Sequence, residues 1–520
     1  MKKTNILMIY PEFPATYWSY EYALPFIGKK SLLPPLGLMT VAAMLPENYD
    51  VQLIDLNVTP MDDDSSGAGP RRLQEHIENA DLVFLSAMIV QKDSFNKIVR
   101  LCNETKKPVV AGGPYPISSH EQIEGVSYFV LDEAEVTLPA FLKDFESGVA
   151  EPGSAAGIYR SGGVKPDLSS TPAPRFDIID AKAYHMMSLQ YSRGCPFNCE
   201  FCDIIEMFGR KSRVKQPEQF IRELDAAYEA GFDGSLFIVD DNFIGNKREV
   251  KRLLPEIAEW QRARNYPFKL STEASINLAH DDTLLELMVE SGFTMVFVGI
   301  ETPDQDTLAQ TQKSQNLKGN IVDDIKKIQT AGIEVTGGFI VGFDSDKDDI
   351  FERQLEFIQD AGIPVAMVGM LTALPNTQLY RRLRSENRLT EESSGDNTHR
   401  LDLNFLPKMP IDSVISGYRH LLKKIFSPRL YFKRCMSLLK EKPLGKTGRK
   451  KLTRDEIHAF FVSLLRQTFS RYGIRYLFFL VRSLFNSGIV FAEAVSLAVK
   501  GHHFFTITRQ ILKKTKTQPA

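Results

Sequence analysis

The stretch YSRGCPFNCEFCDI, residues 191–204, decides how this chain is interpreted, because it contains three of the protein's five cysteines. They stand in the spacing C-x3-C-x2-C, at Cys195, Cys199 and Cys202. The other two lie far from this stretch and from each other, at Cys102 and Cys435, and we expect them to be small buried side chains. Because no disulfide framework is evident, the clustered thiols predict a metal centre or redox chemistry.

Three thiolates on so short a loop can surround one compact metal centre, with Gly194 and Pro196 shaping the turn. A structural zinc ion usually takes four protein ligands, but no second CxxC or CxxH follows, and His185 would have to fold back. A ferredoxin-type cluster would require a fourth cysteine nearby, which the sequence lacks. Three cysteines on a four-iron cluster leave one iron open to a substrate or a second cofactor. The spacing therefore favours such a cluster, with zinc as the alternative.

The length and composition predict several globular domains. A chain of 520 residues exceeds one ordinary core, so we expect three domains of roughly 100 to 200 residues each. Hydrophobic residues make up 43% and charged residues 25%, which is typical of a soluble protein. The N-terminal sequence MKKTNILMIYP has an apolar run too short for a secretory signal, and we therefore expect a cytoplasmic protein.

The charge is distributed unevenly along the chain. Residues 401–520 contain 23 Lys plus Arg against 6 Asp plus Glu, whereas the rest of the chain contains 40 against 59. The most apolar part of this basic segment, residues 475–500, is interrupted by Arg482, Asn486 and Glu493, so it fails as a spanning helix of about 20 apolar residues. Amphipathic helices fit it better, and their basic face either stays in solvent or contacts an anionic membrane surface or acidic partner.

Residues 1–148 alternate apolar runs with helix-like segments. Five runs, NILMIY, VQLIDL, DLVFLSA, KPVVAGG and VSYFVLD, are typical of buried parallel strands joined by crossover helices. We therefore predict a doubly wound (Rossmann-like) α/β domain, whose ligands would lie beyond the carboxyl ends of the strands. The candidate binding residues at these ends are Tyr10, Asp55, Asn57, Ser86, Met88, Gly112, Gly113 and Pro114. No strand is followed by GxGxxG, which disfavours a dinucleotide.

Residues 149–185 are rich in Gly, Pro and Ser and predict a linker. From 186 to 385 the alternation resumes, with six apolar runs separated by helical segments. Six βα units predict a partial (β/α)6 barrel, two units short of the complete form. In barrels the chemistry lies in loops after the strands, and Cys195 directly follows the first strand. Residues 386–520 are predicted to form a mostly α-helical, basic C-terminal domain.

The sequence CPFNCEFC, with Phe201 before its third cysteine, resembles the signature of the radical S-adenosylmethionine (SAM) superfamily. The resemblance implies that the three cysteines ligate a 4Fe-4S cluster whose open iron binds SAM, and that reductive cleavage of SAM yields a 5′-deoxyadenosyl radical. It also implies SAM contacts by Phe201, Asp240, Asp241, Glu273, Glu301, Gly338, Ile340 and Gly342. The two aspartates stand where the superfamily often has Gly-Gly-Glu, and Ser345 stands where the GxIxG pattern is followed by Glu. Each acidic residue could instead cap a helix or lie in solvent.

An α/β domain before such a barrel, with GGP after one strand and LDEAEVTLP after another, resembles the cobalamin-binding domain of cobalamin-dependent radical SAM enzymes. The resemblance implies that the strand-end residues, together with Glu133, bind cobalamin. The usual cobalamin motif D-x-H-x-x-G has Asn57 in place of its histidine here, so we expect no protein histidine on cobalt. A ligand-free, degenerate domain is the alternative.

Longer stretches resemble the hopanoid C-2 methylase-like group, whose members share an uncharacterised C-terminal domain. They are YPEFPATYWSYEYALPFIGKKSLLPPLGLMTVAAMLP, DDNFIGNK, and SGDNTH followed by LNFLPKM. The resemblance implies a methyltransferase that moves a methyl group by way of methylcobalamin to an unactivated carbon of a small-molecule or lipid-like substrate. A 4Fe-4S cluster, SAM and cobalamin would be its cofactors, and a flavodoxin- or ferredoxin-type protein its electron donor. Together with the basic tail, the resemblance favours peripheral contact with a membrane.

Three other functions remain open. A cobalamin-dependent radical SAM enzyme can catalyse cyclisation, oxidation or ring contraction, and the sequence does not separate these reactions from methyl transfer. An iron–sulfur electron-transfer or regulatory protein would cleave no SAM. A nucleic-acid modifier is disfavoured, because the basic tail has no recognisable RNA module and the acidic body repels phosphates. The resemblance extends to fold and cofactors and not to the substrate, since one fold serves many substrates.

Overall fold

The computed structural model contains two parallel sheets followed by a set of packed helices. It describes residues 3–61, 69–391, 393–399, 401, 403–442, 454–486 and 490–514. The predicted classes of all three regions are confirmed. Each sheet is built from the apolar runs seen in the sequence, because strands buried on both faces carry few polar side chains.

The first sheet has six parallel strands in the order β2-β1-β3-β4-β5-β6. Its strands are β1 (Thr4–Tyr10), β2 (Tyr49–Asp55), β3 (Leu82–Ser86), β4 (Val109–Gly112), β5 (Tyr128–Val130) and β6 (Ile158–Tyr159). The helices of this region are α1 (Leu36–Met44), α2 (Gly69–Asn79), α3 (Lys92–Glu104), α4 (Pro114–Ser119) and α5 (Ala134–Glu146). Alternate side chains of β1 enter the two apolar layers on either side of the sheet. Strand order reverses between β1 and β3, and the crevice beyond their carboxyl ends is where such sheets bind ligands.

One strand of this sheet departs from the prediction. β6 lies inside the segment 149–185 that the sequence predicts as a linker, and it pairs with the edge of β5. Only two residues form β6, so its strand pattern is too short to recognise. The surrounding Gly, Pro and Ser residues predict a linker instead.

The second sheet has six parallel strands in the order β14-β13-β12-β11-β10-β7, which confirms the partial barrel. These are β7 (Met186–Leu189), β10 (Gly234–Ile238), β11 (Phe268–Glu273), β12 (Phe293–Glu301), β13 (Glu334–Val341) and β14 (Ala366–Met370). A separate antiparallel pair, β8 (Ser192–Arg193) and β9 (Arg213–Val214), flanks the cysteine stretch. The helices are α6 (Ile204–Met207), α7 (Pro217–Glu229), α8 (Lys247–Ala263), α9 (Asp282–Glu290), α10 (Gln305–Gln310), α11 (Ile321–Thr330), α12 (Ile350–Asp360) and α13 (Gln378–Ser385).

Among the described residues, five helices follow the barrel: α14 (Ile411–Ile425), α15 (Pro428–Glu441), α16 (Arg454–Thr468), α17 (Gly473–Leu484) and α18 (Phe491–Lys514). They pack on the barrel through α14 and α15. The buried guanidinium of Arg434 donates hydrogen bonds to the carbonyl oxygens of Ile363 (2.8 Å) and Ile425 (2.7 Å), which joins the two regions. In the described part of the chain, no helix has both the length and the apolarity needed to cross a bilayer.

Candidate functional site

A cavity of about 1830 Å³ lies between the carboxyl ends of the two sheets. The first sheet contributes the ends of β1, β3 and β4, and the second contributes the ends of β7, β10 and β11. Residues 374–376 and 395–398, which follow the last barrel strand, complete part of the wall. Because single drug-sized ligands occupy roughly 300–1,000 Å³, this cavity can hold more than one large ligand.

Most of the predicted cobalamin contacts line this cavity: Tyr10, Asn57, Ser86, Met88, Gly112, Gly113, Pro114 and Glu133. Asp55 does not line it. The buried carboxylate of Asp55 accepts hydrogen bonds from the Asn57 backbone N–H (2.8 Å) and the Tyr184 hydroxyl (2.9 Å). It therefore stabilises the carboxyl end of β2 without facing the cavity. Burial raises the pKa of Asp55, against the opposing effect of these hydrogen bonds.

Asn57, the residue in the place of the cobalamin-motif histidine, has its side chain engaged by the protein. Its Oδ1 accepts a hydrogen bond from the Phe13 backbone N–H at 2.8 Å, and its Nδ2 donates to Asp55 Oδ1 at 2.7 Å. The amide therefore fixes the loop after β1 at the edge of the cavity.

The floor of the cavity at the end of β4 is bare backbone. Gly113 has φ +88°, and a Cβ there would lie 2.3 Å from the Ser86 Oγ. A Cβ on Gly112 would lie 2.7 Å from the Val130 carbonyl oxygen. Glycine is therefore required at both positions, because the chain packs closely against the ends of β3 and β5. Both glycines also line the cavity, so their backbone can contact a ligand there, as the resemblance to cobalamin-binding domains implies.

Glu133 in the cavity wall pairs with two guanidiniums. Its carboxylate pairs with Arg193 (2.9 Å) and with Arg213 (2.8 Å). Glu135 pairs with Arg193 through a second contact of 2.8 Å. The two carboxylates stand at the start of α5, whereas the two guanidiniums belong to β8 and β9 on either side of the cysteine stretch. The network thus joins the first α/β domain to the barrel loop.

The cysteine stretch is held by the ends of the first two barrel strands. Asp240 is buried, and its carboxylate accepts hydrogen bonds from the backbone N–H groups of Tyr191 (2.7 Å) and Ser192 (2.9 Å). Asp241 accepts one from the Gly194 N–H at 3.0 Å. Gly194 has φ +92°, and a Cβ there would lie 2.7 Å from the Lys211 carbonyl oxygen. The turn before Cys195 therefore requires glycine, as the sequence predicts.

None of the three thiols forms a disulfide. Cys199 is buried, the other two are partly buried, and Cys199 is close enough to each of them to interact electrostatically. Amide groups point at two of them: Asn242 Nδ2 lies 3.9 Å from the Cys195 Sγ, and Gln315 Nε2 lies 3.6 Å from the Cys199 Sγ. Burial raises the pKa of Cys195 and of Cys202, and the nearby Lys313 ammonium opposes this rise. Thiolates in such surroundings need a positive centre, and an iron–sulfur cluster fits that donor set.

Among the described residues, no group of three or more His, Cys, Asp or Glu side chains is gathered as a single-ion site. Around one zinc ion, thiolate sulfurs at about 2.3 Å from the metal would nearly touch each other. The ligands of a multi-iron cluster bind different iron atoms, so their sulfurs can stand farther apart.

Of the acidic residues predicted to contact SAM, two line the cavity. Burial, followed by the charge of Asp241, raises the pKa of Glu273 to about 8, and the Glu273 carboxylate accepts no hydrogen bond from the described residues. Burial also raises the pKa of Asp241 to about 6. Asp240 does not line the cavity, because its carboxylate faces the backbone of the cysteine stretch, and burial raises its pKa to about 7.

The remaining predicted SAM contacts lie around β12 and β13, outside the cavity wall. Glu301 is buried, has φ +65°, and pairs with Lys313 at 2.6 Å. The space above Gly338 is filled by the Phe297 ring, since a Cβ there would lie 2.7 Å from it. Gly342 has φ +96° and donates its N–H to Asp346 at 2.7 Å. Phe201 lies near the end of β13, with its ring centroid 6.0 Å from that of Phe343, and Ile340 is partly buried.

Sequence reasoning missed several residues of this site. Lys313 is a partly buried cation beside the Phe201 ring and the cysteine loop, and Arg193 lies inside the quoted stretch itself. Arg213 was also missed, and residues 395–398 were noted only within the quoted SGDNTH, with no place in the site. Arg193 carried a signal of its own, its position two residues before Cys195, whereas Lys313 and Arg213 carried none, because their contacts join segments apart in the chain.

Comparison with known proteins agrees with this architecture. Family models match a B12 binding domain at residues 29–142, the radical SAM superfamily at 189–358, and a domain of unknown function, DUF4070, at 377–517. An uncharacterized methyltransferase of Synechocystis sp. is 40% identical over 98% of this chain and 92% of its own length. The hopanoid C-2 methylase of Rhodopseudomonas palustris is 32% identical over 83% of this chain and 78% of its own. A solved structure of similar fold is that of the radical SAM methyltransferase TsrM from Kitasatospora setae, with cobalamin and a 4Fe-4S cluster bound. It superposes with a TM-score of 0.60 at 13% identity, and the match covers 99% of this chain and all of the TsrM chain.

Proposed function

The chain belongs to the cobalamin (B12)-binding radical SAM superfamily, in the group of the hopanoid C-2 methylase, and from this membership we propose that it methylates an unactivated carbon of a lipid-like small molecule. The enzyme is a cobalamin-dependent radical SAM methyltransferase, with a 4Fe-4S cluster, SAM and cobalamin as cofactors. The observation that carries the proposal is the single cavity between the carboxyl ends of both sheets. Most of the cobalamin contacts and two of the SAM contacts, Asp241 and Glu273, then face one space that a substrate can enter.

The residues of this chain divide into those that hold cofactors and those that set their position. Cys195, Cys199 and Cys202 would hold the cluster, and the bare backbone at Gly112 and Gly113 would accept cobalamin. When bound, the cluster and SAM supply a radical that removes a hydrogen atom from carbon, and cobalamin carries the methyl group.

The acidic residues facing the cavity would orient SAM. Asp241 and Glu273 offer carboxylates to its amino and ribose hydroxyl groups, because neither is neutralised by a described ion pair. Lys313, paired with Glu301, places a fixed positive charge beside the thiols and so favours their ionised form. Phe201, Gly338, Ile340 and Gly342 would support this region from the adjacent strands. We assign no acid or base, because a radical route requires none at the carbon.

The substrate side of the cavity supports a lipid-like molecule. The segment after β1 lines it with apolar side chains, among them Phe13, Trp18 and Leu36. Trp18 is 44% exposed and contacts Phe297 edge-on, with ring centroids 5.1 Å apart. An exposed aromatic side chain within a cavity is a favourable contact for an apolar ligand.

Two further partners belong to this proposal. The cluster requires an electron, which we assign to a flavodoxin- or ferredoxin-type donor. A lipid-like substrate must be taken from a membrane, so we assign peripheral membrane contact to the basic C-terminal helices.

The proposal is tested with SAM that carries a trideuterated methyl group. The anaerobically reconstituted and reduced enzyme is incubated with a bacterial polycyclic triterpenoid fraction, and with a polar metabolite fraction as a comparison. We expect the deuterated methyl group in a triterpenoid product and none with Cys199→Ala. Label appearing only in polar molecules would contradict the lipid-like substrate, whereas SAM cleavage without any labelled product in either fraction would contradict methyl transfer.

A further inference from the structure

Helices α16 and α17 expose an unusual amount of apolar surface. Of the twenty large hydrophobic side chains that are exposed among the described residues, eleven lie between residues 457 and 490. The exposure is therefore local to this part of the chain. Patches of this kind mark contact surfaces, whereas hydrophobic side chains exposed singly do not.

The exposed side chains of α16 form one stripe. Ile457, Phe461 and Leu465 recur every four residues and are 43%, 56% and 66% exposed. Side chains at this spacing lie on one face of a helix. The opposite face of α16 is buried through Ala459 and Ser463.

Helix α17 continues the pattern. Ile474, Phe478 and Val481 are 86%, 67% and 52% exposed and follow the same helical face. The other face of α17 is packed on α15, where Phe479 stacks on Phe432 with ring centroids 4.8 Å apart. Each helix thus packs on the protein with one face and exposes its apolar stripe on the other.

The charge beside these stripes is predominantly positive. Arg466, Arg471, Arg475 and Arg482 are all exposed, whereas the sequence between 454 and 490 has only two acidic residues, Asp455 and Glu456 at the start of α16. Arg475 and Arg482 follow Ile474 and Val481 by one position, which is about 100° round the helix. Apolar stripes flanked by arginine fit the boundary of a bilayer with anionic headgroups, where the apolar side chains enter and the cations stay at the headgroups.

We propose that the outward face of α16 and α17 docks on an anionic lipid bilayer. This inference rests on the membrane contact proposed above and assigns it to a surface. The inner side of α16 packs through Val462 on Ala23 and Phe26, which belong to the segment after β1. That segment also lines the cavity, at Thr16 and Trp18. Docking would therefore connect the bilayer to the part of the chain that forms the substrate wall.

The test is co-sedimentation of the full-length protein with vesicles of phosphatidylcholine, with and without phosphatidylglycerol. We expect binding only to the anionic vesicles and release at high salt. The double variant Ile474→Ser with Phe478→Ser should lower the bound fraction about tenfold or more, because two large apolar side chains no longer enter the lipid. Arg475→Gln with Arg482→Gln should weaken binding and reduce its dependence on salt.

The matched control is Val149→Ser with Val164→Ser, two exposed hydrophobic residues elsewhere that are 65% and 59% exposed. This control should bind as the wild type does. Absence of binding by the wild type, or equal binding by the apolar double variant, would overturn the proposal. A wild-type dimer that the apolar variant converts to monomers, without vesicle binding, would make this face an interface between two copies instead. SAM cleavage measured in the same preparations should be unchanged, so a failed docking surface is distinguishable from a failed enzyme assignment.

Discussion

The Glu133 carboxylate lies 2.9 Å from the Arg193 guanidinium, and Arg193 stands two residues before Cys195. A second guanidinium, that of Arg213, reaches the same carboxylate from the strand paired with β8. The side chain of Glu133 is 2% exposed, and those of the two arginines are 11% and 13% exposed. This buried network sets the position of the cysteine loop relative to the first sheet, and hence of one cofactor region relative to the other.

Glu133→Gln should therefore destabilise the protein. Removing one partner from a buried ionic network leaves the other charges uncompensated and costs about 3–5 kcal/mol. We expect the thermal midpoint to fall by several degrees and the affinity for cobalamin, measured by titration of its absorbance, to decrease. Arg175→Gln is the matched control, because its pair with Asp177 is exposed and contributes little. Equal midpoints for Glu133→Gln and the wild type would contradict the role of the network.

Gly194→Ala should impair assembly of the cluster. An added Cβ would meet the Lys211 carbonyl oxygen at 2.7 Å and displace the turn before Cys195. Gly231→Ala is the control, since Gly231 also has positive φ, at +80°, has open space around its Cβ position and lies outside the cysteine turn. We expect both variants to lose about 1 kcal/mol from backbone strain. Only Gly194→Ala should lose iron and sulfide after reconstitution, and equal iron content in the two variants would count against this role of the turn.

The cofactor-free protein should become less stable as pH rises from acidic to mildly basic values. Burial, followed by the charge of Asp241, raises the pKa of Glu273 to about 8 from the ordinary 4.5. The folded chain then holds a proton that the unfolded chain releases, so the penalty is absent below about pH 4.5 and complete above about pH 8. Glu273→Gln has no such proton, and its thermal midpoint should fall less across this range. If the thermal midpoint of Glu273→Gln changed with pH in parallel with that of the wild type, this effect would be excluded. The control is Glu286→Gln at an exposed position, which should behave as the wild type does.

Local sequence patterns predict the elements of the fold well. The apolar run FKLSTE coincides with β11, and the order of the six barrel strands follows directly from the alternation of strands and helices. The strands that the sequence pattern does not predict are very short, since β6, β8 and β9 have two residues each. Their pairing depends on neighbouring chain segments and not on their own composition.

The site is less predictable than the fold, because acidic residues that are adjacent in the sequence make different contacts. Asp240 and Asp241 look equivalent in the sequence, but the first carboxylate binds backbone N–H groups and the second faces the cavity. Lys313 and Glu301 become partners only when the chain folds. Gly299 makes room for that pair, since a Cβ there would lie 2.5 Å from the Glu301 Oε1. Such contacts join distant positions and leave no periodic signal.

The most direct test of the enzyme assignment is to follow the two products of SAM in the anaerobically reconstituted and reduced enzyme. We expect that the wild type and Cys102→Ala both form 5′-deoxyadenosine, that Cys199→Ala forms none, and that S-adenosylhomocysteine appears when cobalamin is present. Absence of 5′-deoxyadenosine from wild-type protein shown to contain a four-iron cluster would contradict the assignment, as would its undiminished formation by Cys199→Ala.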